Sequence, residues 1–505
     1  MRLAIILDAE HPGHGDASYY YEVASNLVER GALEVDYIWH FLSPPEQVTH
    51  PAGDYWSVGA SLLLALPMAM GGALKSALGM SICFGLLVGL GTFALAKCLC
   101  ASRMAVFGAC AVVLFQPHLL NYSTSTDAVI FYVAFASGSL ACCAHAGESP
   151  RAYVRAACLA ALAFYTRQDS VLLCPALACA VLASRHSWAT KRRALLRGTC
   201  AYLVCLAPLF AYNWTQHGSI LPQGPSRTFF ARHYRDIYTY AEPLTWDSYR
   251  AWGWINIWQS KWDALLSNLT QLRRLLSDGL WLLIVFGLLR LIRRSPEYRP
   301  IALAGVLVLV LQLVFYSFIG TTVAAHGSYL RAVLCLVPFL VVCAFKALDR
   351  SVSAPLAAIL ILGLSLPTVR TCYAGAMRKV QINNNMARQG RVVSDALQHL
   401  TKPTKATPVV MSMNPWALHQ SSGFGIVQFP SGDLGAALEV ADRYNVTHLV
   451  LPKTNMTVTP AIAAATPGLK LVLELEHPPV RIFEFVDRAR EPATNRTRGN
   501  WTQRH

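Results

Sequence analysis

Apolar segments separated by short polar gaps fill most of the chain between residues 77 and 371. They cover residues 77–98, 104–120, 127–146, 152–166, 170–184, 196–212, 279–291, 300–324, 330–346 and 354–370. A helix that crosses a bilayer needs about 20 mainly apolar residues. The pattern therefore predicts a mainly α fold, a polytopic transmembrane bundle of about ten to eleven helices. The first helix is predicted to be truncated, because Met1–Leu7 is too short an apolar run to cross.

Lysine and arginine are concentrated in alternate gaps of this pattern. The rich gaps surround residues 97–103, 151–155, 185–197, 290–299 and 346–350, and the poor gaps are 121–126, 167–169 and 325–329. Loops rich in Lys and Arg stay on the cytoplasmic side. The alternation holds throughout only if the apolar segment Ser57–Gly72 lies on the outer surface instead of crossing. The poor gaps, the loop His11–Trp56 and the region after residue 371 are then expected on one non-cytoplasmic side.

The segments outside the bundle have their own patterns. We predict that residues 1–76 hold a helical stub, an outer loop and juxtamembrane helices, and that the bundle 77–371 carries a second outer loop, 213–278. That loop is rich in Trp and Tyr, which favour the membrane interface; it is read either as an interfacial amphipathic helix or as a platform for sugar rings or a lipid head group. In 372–487, strand-like runs such as Thr447–Leu451 and Val480–Val486 alternate with helical runs such as Asp433–Tyr444, for which Asp433 is a good N-cap. This alternation predicts a small extracytoplasmic α/β domain. The polar tail 488–505 is predicted to be disordered.

Composition agrees with a membrane protein. Hydrophobic residues make up 54% of the 505 residues and charged residues only 14%, against about 25% charged residues in soluble domains. The net charge of +15 is expected to serve topology and contacts with anionic lipid, not nucleic acid. The prediction is a multi-pass protein of the plasma or inner membrane.

The outer loop His11–Trp56 carries the first candidates for chemistry. Asp16 could act as a general base on an acceptor, with His14 and Tyr20 beside it; the plainer alternatives are a solvated side chain or a cap for a helix over Ala17–Arg30. Asp54, near His50, could be a second carboxylate of the same site or a cap for the following surface helix. A divalent ion could bind these carboxylates, but their spacing is not diagnostic, so no metal or cofactor is predicted.

Charged residues at the outer ends of apolar segments are the second group of candidates. Charges at membrane depth are costly and tend to be paired or functional, and Arg167 and Asp169 could form a structural pair or contact a substrate. Arg331, with His326 near it, could bind a phosphate bidentately or simply anchor its helix at the head groups.

Short motifs add a resemblance to a known superfamily. The order of His14-Gly15-Asp16-Ala17-Ser18-Tyr19, His50-Pro51 before a surface helix, alternating helices and a small outer domain resembles the GT-C membrane glycosyltransferases, in particular their protein O-mannosyltransferase and aminoarabinose-transferase branch. The motifs Asp54-Tyr55-Trp56, Tyr165–Asp169, Arg232–Tyr240 and Asn414-Pro415-Trp416 look like those of a bacterial and archaeal subgroup. The resemblance implies Asp16 as catalytic base and a polyprenyl-phosphate-linked sugar donor. Arg331 and Arg167, with Arg232, would hold the phosphate.

The sequence therefore predicts an inverting glycosyltransferase that moves a sugar from the lipid carrier to a glycan, lipid or protein acceptor. The alternative is a non-enzymatic transporter of lipid-linked sugars or a membrane partner in glycan assembly. A transporter is expected to show broken helices at repeated positions. The sequence has no internal repeat, and its polar residues cluster at outer helix ends, which favours the enzyme.

Overall fold

The computed structural model describes residues 1–145, 149–240, 244–276, 278–324, 327–348, 354–401 and 408–486. His326 and the tail 488–505 lie outside these ranges. Within them the chain is a helical membrane bundle with a small C-terminal α/β region, which confirms the predicted fold class.

Each predicted apolar segment contains at least one helix. The helices of this region are Leu74–Leu99, Arg103–Leu114, Pro117–Tyr122, Val129–Ala144, Arg151–Thr166, Leu173–Ala183, Trp188–His217, Asp278–Arg294, Arg299–Val314, Thr321–Ala324, Ser328–Val333, Val337–Leu348 and Ala354–Leu400. Short 3₁₀ turns at Gln168–Leu172 and Leu334–Leu336 and a π-helical turn at Phe315–Ile319 join some of them end to end. Of the helices in the described ranges, four are long and apolar enough to cross a membrane unaided: Leu74–Leu99, Trp188–His217, Arg299–Ile319 and Ser328–Leu348.

Small residues let the bundle helices approach closely. Arg151–Thr166 packs against Val129–Ala144 on one side and Trp188–His217 on the other, and its buried residues include Ala152, Ala156 and Ala160. Small side chains at such interfaces bring helix backbones together. The shorter helices of the bundle are therefore held by packing against longer neighbours.

The outer segments are also largely helical. Their helices are Arg2–Leu7, Gly15–Arg30, Gly59–Ala69, Gly224–Arg227, Trp246–Ala251 and Trp254–Leu275, with 3₁₀ turns at Thr228–Phe230 and Tyr234–Tyr238. Gly59 fixes the position of the surface helix, because a Cβ there would lie 2.3 Å from the carbonyl oxygen of Tyr165. Trp254, Trp258 and Trp262 are more than half exposed on their helix, as the interfacial-helix interpretation requires.

The strands form two sheets. They are β1 Glu34–Val35, β2 Tyr37–Ile38, β3 His50–Pro51, β4 Val409–Ser412, β5 Gly425–Gln428, β6 Val446–Pro452, β7 Leu469–Leu475 and β8 Val480–Phe485. Strands β1 and β3 form an antiparallel pair, and the six others follow the order β2-β5-β4-β6-β8-β7. Helices Pro415–Ser422, Leu434–Tyr444 and Pro460–Ala465 connect the C-terminal strands. As expected of a good N-cap, the Asp433 carboxylate accepts a hydrogen bond from the Ala436 N–H at 3.0 Å.

Two connections tie the outer parts into one body. Strand β2, from the first outer loop, pairs in parallel with β5 and so extends the C-terminal sheet. The helix Ala354–Leu400 runs without a break across the predicted boundary at residue 371 and packs against the helix Pro415–Ser422. The first outer loop and the C-terminal region are thereby fixed relative to the bundle.

Candidate active site

A cavity of about 1000 Å³ lies between the outer loops and the ends of the bundle helices. Segments far apart in sequence line it: residues 14–20, 39–40, 55–57, 127, 164–172, 202–238, 315–316, 328–331 and 413–416 contribute side chains. The gaps poor in Lys and Arg thus meet the first outer loop at one place. Apolar residues such as Phe164, Leu206, Phe210 and Phe315 form much of its wall.

Asp16 and Arg331 form an ion pair in this cavity. Asp16 lies in the first turn of the helix Gly15–Arg30, where His14 takes the N-cap position, so its carboxylate does not cap the helix. It accepts instead from the Arg331 guanidinium, and the two side chains are 14% and 20% exposed. An adjacent cation favours the ionised form of a carboxylic acid. The pair therefore presents a carboxylate and a guanidinium to the same space.

Arg167 and Asp169 form a second pair deeper in the cavity. Arg167 donates from Nε and Nη2 to the two carboxylate oxygens at 3.1 and 3.2 Å. The Tyr316 hydroxyl donates to Asp169 at 2.7 Å, and the Arg167 guanidinium lies 5.6 Å from the centre of the Tyr132 ring. The structural pair weighed from the sequence is thus present. It also lines the cavity, so both roles remain compatible with the geometry.

Asp127 is a lining residue that the sequence reasoning passed over as part of a turn. It is 2% exposed, one carboxylate oxygen accepts from the Val129 N–H at 3.1 Å, and the other has no partner in the described part of the chain. An acidic residue at the start of an apolar segment, directly after a gap free of Lys and Arg, was the available signal.

His14 and Tyr20 line the same cavity as Asp16. Burial, together with the charges of Lys379 and Arg331, lowers the pKa of His14 to about 3. The imidazole is therefore neutral at physiological pH and can accept or donate one hydrogen bond. Tyr20 is 4% exposed and adds a phenol to the wall.

Asp54 and His50 line an adjacent, smaller cavity of about 420 Å³. Asp54 does not cap the surface helix, whose N-cap is Val58. The two carboxylates considered together in the sequence therefore belong to neighbouring cavities. Arg232 lines neither cavity, and its guanidinium lies 3.6 Å from the Asp236 carboxylate; His326 falls outside the described residues.

One cluster in the described ranges has the close spacing that a metal site requires. It consists of Glu22, Asp36 and His419, whose ligand atoms all lie within 4.8 Å of one another. Protein donors already satisfy both carboxylates. Gln420 and His419 donate to Glu22 at 3.0 and 2.7 Å, and Thr49 donates to Asp36 at 2.7 Å. We therefore read the group as a hydrogen-bonded link between the helix that carries Asp16 and the C-terminal region.

Residues 50–212 match the family model described as dolichyl-phosphate-mannose-protein mannosyltransferase. That segment includes Asp54, the surface helix and the Arg167–Asp169 pair. No curated protein sequence matches the chain.

Solved structures share the architecture of the whole chain. ArnT from Cupriavidus metallidurans, solved bound to undecaprenyl phosphate, superposes with a TM-score of 0.57 over 96% of both chains at 14% identity. The oligosaccharyltransferase AglB from Archaeoglobus fulgidus superposes with a TM-score of 0.53 at 12% identity. The match covers 89% of this chain and 68% of the AglB chain. The mycobacterial arabinofuranosyltransferase AftD superposes with a TM-score of 0.55 at 13% identity. The match covers 96% of this chain and 41% of the AftD chain. The fold is that of the GT-C glycosyltransferases, which confirms the resemblance drawn from the sequence motifs.

Proposed function

We propose that this chain, which has the GT-C fold, is an inverting membrane glycosyltransferase that takes its sugar from a polyprenyl-phosphate-linked donor. One observation carries the proposal. Asp16, Arg331 and Arg167 line a single large cavity, so a candidate base and two cations face the same space. The ArnT structure of the same fold was solved with undecaprenyl phosphate, which supports a polyprenyl carrier here.

The two arginines suit a phosphate leaving group. A guanidinium can donate two parallel hydrogen bonds to phosphate oxygens, and fixed cations stabilise the charge that develops as a phosphate departs. Arg331 pairs with the Asp16 carboxylate and is partly accessible from the cavity. Arg167 is held rigidly by Asp169 and Tyr316. The apolar wall around Phe164, Leu172 and Phe315 suits an isoprenoid chain.

In the proposed reaction Asp16 accepts the proton of an acceptor hydroxyl or amine. The acceptor heteroatom attacks the anomeric carbon while the bond from that carbon to the phosphate oxygen breaks, which inverts the anomeric configuration. The carrier phosphate leaves with the bonding electron pair and is stabilised by Arg331 and Arg167. As the phosphate engages Arg331, the Asp16 carboxylate is released from its ion pair to act as base.

We place this reaction on the non-cytoplasmic face of the cell membrane, with the C-terminal region on the same face. The argument is the distribution of charge. The Lys- and Arg-rich gaps, such as 185–197 and 290–299, contribute no side chain to the cavity, and Lys- and Arg-rich connections between spans stay cytoplasmic. The acceptor is a glycan, lipid or protein that reaches that face.

Donor use by the purified chain in liposomes tests the proposal. The panel is a set of undecaprenyl-phosphate sugars, each with the label on the sugar, beside nucleotide sugars as matched controls. With a cell-envelope extract as the source of acceptor, we expect at least one lipid-linked donor to pass its labelled sugar to an acceptor hydroxyl or amine and to leave free undecaprenyl phosphate, and no nucleotide sugar to be used. Movement of intact donor between leaflets without cleavage would instead support the transporter alternative.

A further inference from the structure

The smaller cavity of about 420 Å³ is built mainly by the first outer loop and the segment 216–227. Its polar lining includes His50, Asp54, Gln216, His217, Gln223 and Arg227. The large cavity has a more apolar wall than this one. The two cavities therefore offer different chemistry side by side.

An aromatic wall separates the two cavities. Trp39 and Trp56 stack with ring centroids 4.6 Å apart and an interplanar angle of 11°. Both rings, together with His40 and Tyr55, line both cavities. Trp39 also lies directly against Gly15, where a Cβ would come within 2.1 Å of the indole ring. One side of this aromatic wall therefore faces the large cavity next to Asp16, and the other side faces the smaller cavity.

Two residues that line this smaller cavity carry a buried polar atom without a partner in the described ranges. Tyr37 is 1% exposed, yet its hydroxyl has no hydrogen-bond partner among the described residues; the same holds for Nδ1 of His40. Buried polar atoms are normally paired, so these two leave hydrogen-bonding capacity unused within the cavity wall. Burial lowers the pKa of His40 to about 3, so the imidazole is neutral and offers both a donor and an acceptor.

The strand and turn that carry Asp54 are held in place by bundle residues. The Tyr212 hydroxyl donates to the Ala52 carbonyl at 2.8 Å, and the Gly53 N–H donates to the Tyr19 hydroxyl at 3.1 Å. The His217 ring lies 3.1 Å from the same Ala52 carbonyl. The cavity is thus formed before any ligand arrives, which lowers the entropic cost of binding.

We propose that the smaller cavity binds one saccharide unit of a glycan acceptor, with the sugar against the Trp39–Trp56 wall and its hydroxyls on Asp54 and the polar side chains beside it. This rests on the proposed function, because it names the acceptor of that reaction. A pyranose has an apolar C–H face and a rim of hydroxyls, which matches an aromatic wall bordered by mixed donors and acceptors. The next unit of the glycan would then lie beside Asp16.

Saccharide binding to the full-length chain in detergent tests this directly. The probe is a panel of neutral di- to tetrasaccharides, and the readout is the dissociation constant. We expect binding that weakens about tenfold or more in Asp54→Asn, because a hydrogen bond to a charged group is lost, and in Trp56→Ala. Trp56→Phe keeps a ring and is expected to recover most of the affinity, and Trp188→Ala, an exposed Trp that lines neither cavity, is the matched control.

Asp16→Asn separates this proposal from the proposed function. Saccharide binding should be unchanged in that variant, because the base is not needed to hold the sugar. Binding by a chain that cleaves no lipid-linked donor would sink the proposed function and leave the saccharide site standing. Absence of binding to every saccharide, or affinities that ignore both Asp54→Asn and Trp56→Ala, would overturn the saccharide site.

Discussion

The link between Glu22 and His419 gives a sharp prediction about stability. Glu22 lies on the helix that carries Asp16, and His419 on the helix Pro415–Ser422 of the C-terminal region. Their atoms Oε1 and Nε2 are 2.7 Å apart, and the two side chains are 10% and 8% exposed. The other ring nitrogen of His419 lies 2.7 Å from the Phe424 carbonyl. Substituting His419→Ala removes the cationic half of a buried pair.

Removal of one partner of a buried pair costs about 3–5 kcal/mol, because the other charge is left without compensation. Most of this cost should appear as reduced stability of the contact between the first outer loop and the C-terminal region. For a cooperative unit of 150–250 residues it corresponds to a lower melting temperature on the order of 10 °C. His477→Gln, on an exposed turn of the same region, is the matched control and should leave the melting temperature unchanged.

The pair also sets the sign of a pH dependence. Burial opposes the charged imidazole, but the hydrogen bond and charge of Glu22, helped by the Phe424 carbonyl and the charge of Asp36, raise the pKa of His419 above 6.5. A raised pKa in the folded state stabilises the fold fully below the unfolded value of about 6.5 and loses that effect as pH rises through the folded value. The wild type should therefore lose melting temperature on the alkaline side of neutrality.

Melting curves of the purified chain at pH 6 and at pH 9 measure both effects. We expect the wild type to melt lower at pH 9, with the difference much smaller in His419→Ala. Equal melting temperatures for wild type and His419→Ala at pH 6 would refute the reasoning. So would a wild type that becomes more stable at pH 9 while His419→Ala does not.

Three further predictions concern the large cavity. Arg331→Ala should lower the rate of cleavage of the sugar donor by about 10²–10³-fold, the usual cost of losing one hydrogen-bond donor to a developing oxyanion. Arg331→Lys should recover only part of that rate because the two-pronged guanidinium is lost. Single-turnover rates measure both effects. Gly15→Ala should reduce transfer by about tenfold or more while donor affinity is kept, because the new methyl group displaces Trp39 beside Asp16. Tyr316→Phe should cost about 1–3 kcal/mol of stability in denaturant melts, because Asp169 loses a buried donor.

The sequence predicted the parts of the fold that depend on local pattern. Apolar runs of helical length, the Asp433 cap and the strands near 447–451 and 480–486 could be read because each depends on residues close in sequence. The strand Tyr37–Ile38 could not, because it has two residues and exists only through pairing with a segment almost 400 residues later. The helix Ala354–Leu400 crosses a boundary drawn from polarity, since a helix does not end where its surroundings change from lipid to water.

The sequence could predict which candidate residues share one side of the bundle, because the order of the membrane segments decides that. The charge pattern placed Asp16, Arg167 and Arg331 on one side, and all three line one cavity. The pattern could not show that Asp54 belongs to a neighbouring cavity, because the Trp39–Trp56 stack that divides the two is a tertiary contact. Asp127 was missed because its turn, with Ser123, Thr124 and Ser125 before it, looks like an ordinary polar connection.

The role of Asp16 is the central claim, and the rate of sugar transfer by Asp16→Asn tests it most directly. Asparagine has nearly the same shape but cannot accept a proton. With the lipid-linked donor that the wild type uses, we expect the rate to fall by about 10²–10⁴-fold, the usual contribution of a general base, while donor affinity stays within a few-fold. Asp247→Asn, on an exposed helix, is the control. Transfer by Asp16→Asn at the wild-type rate would contradict the account.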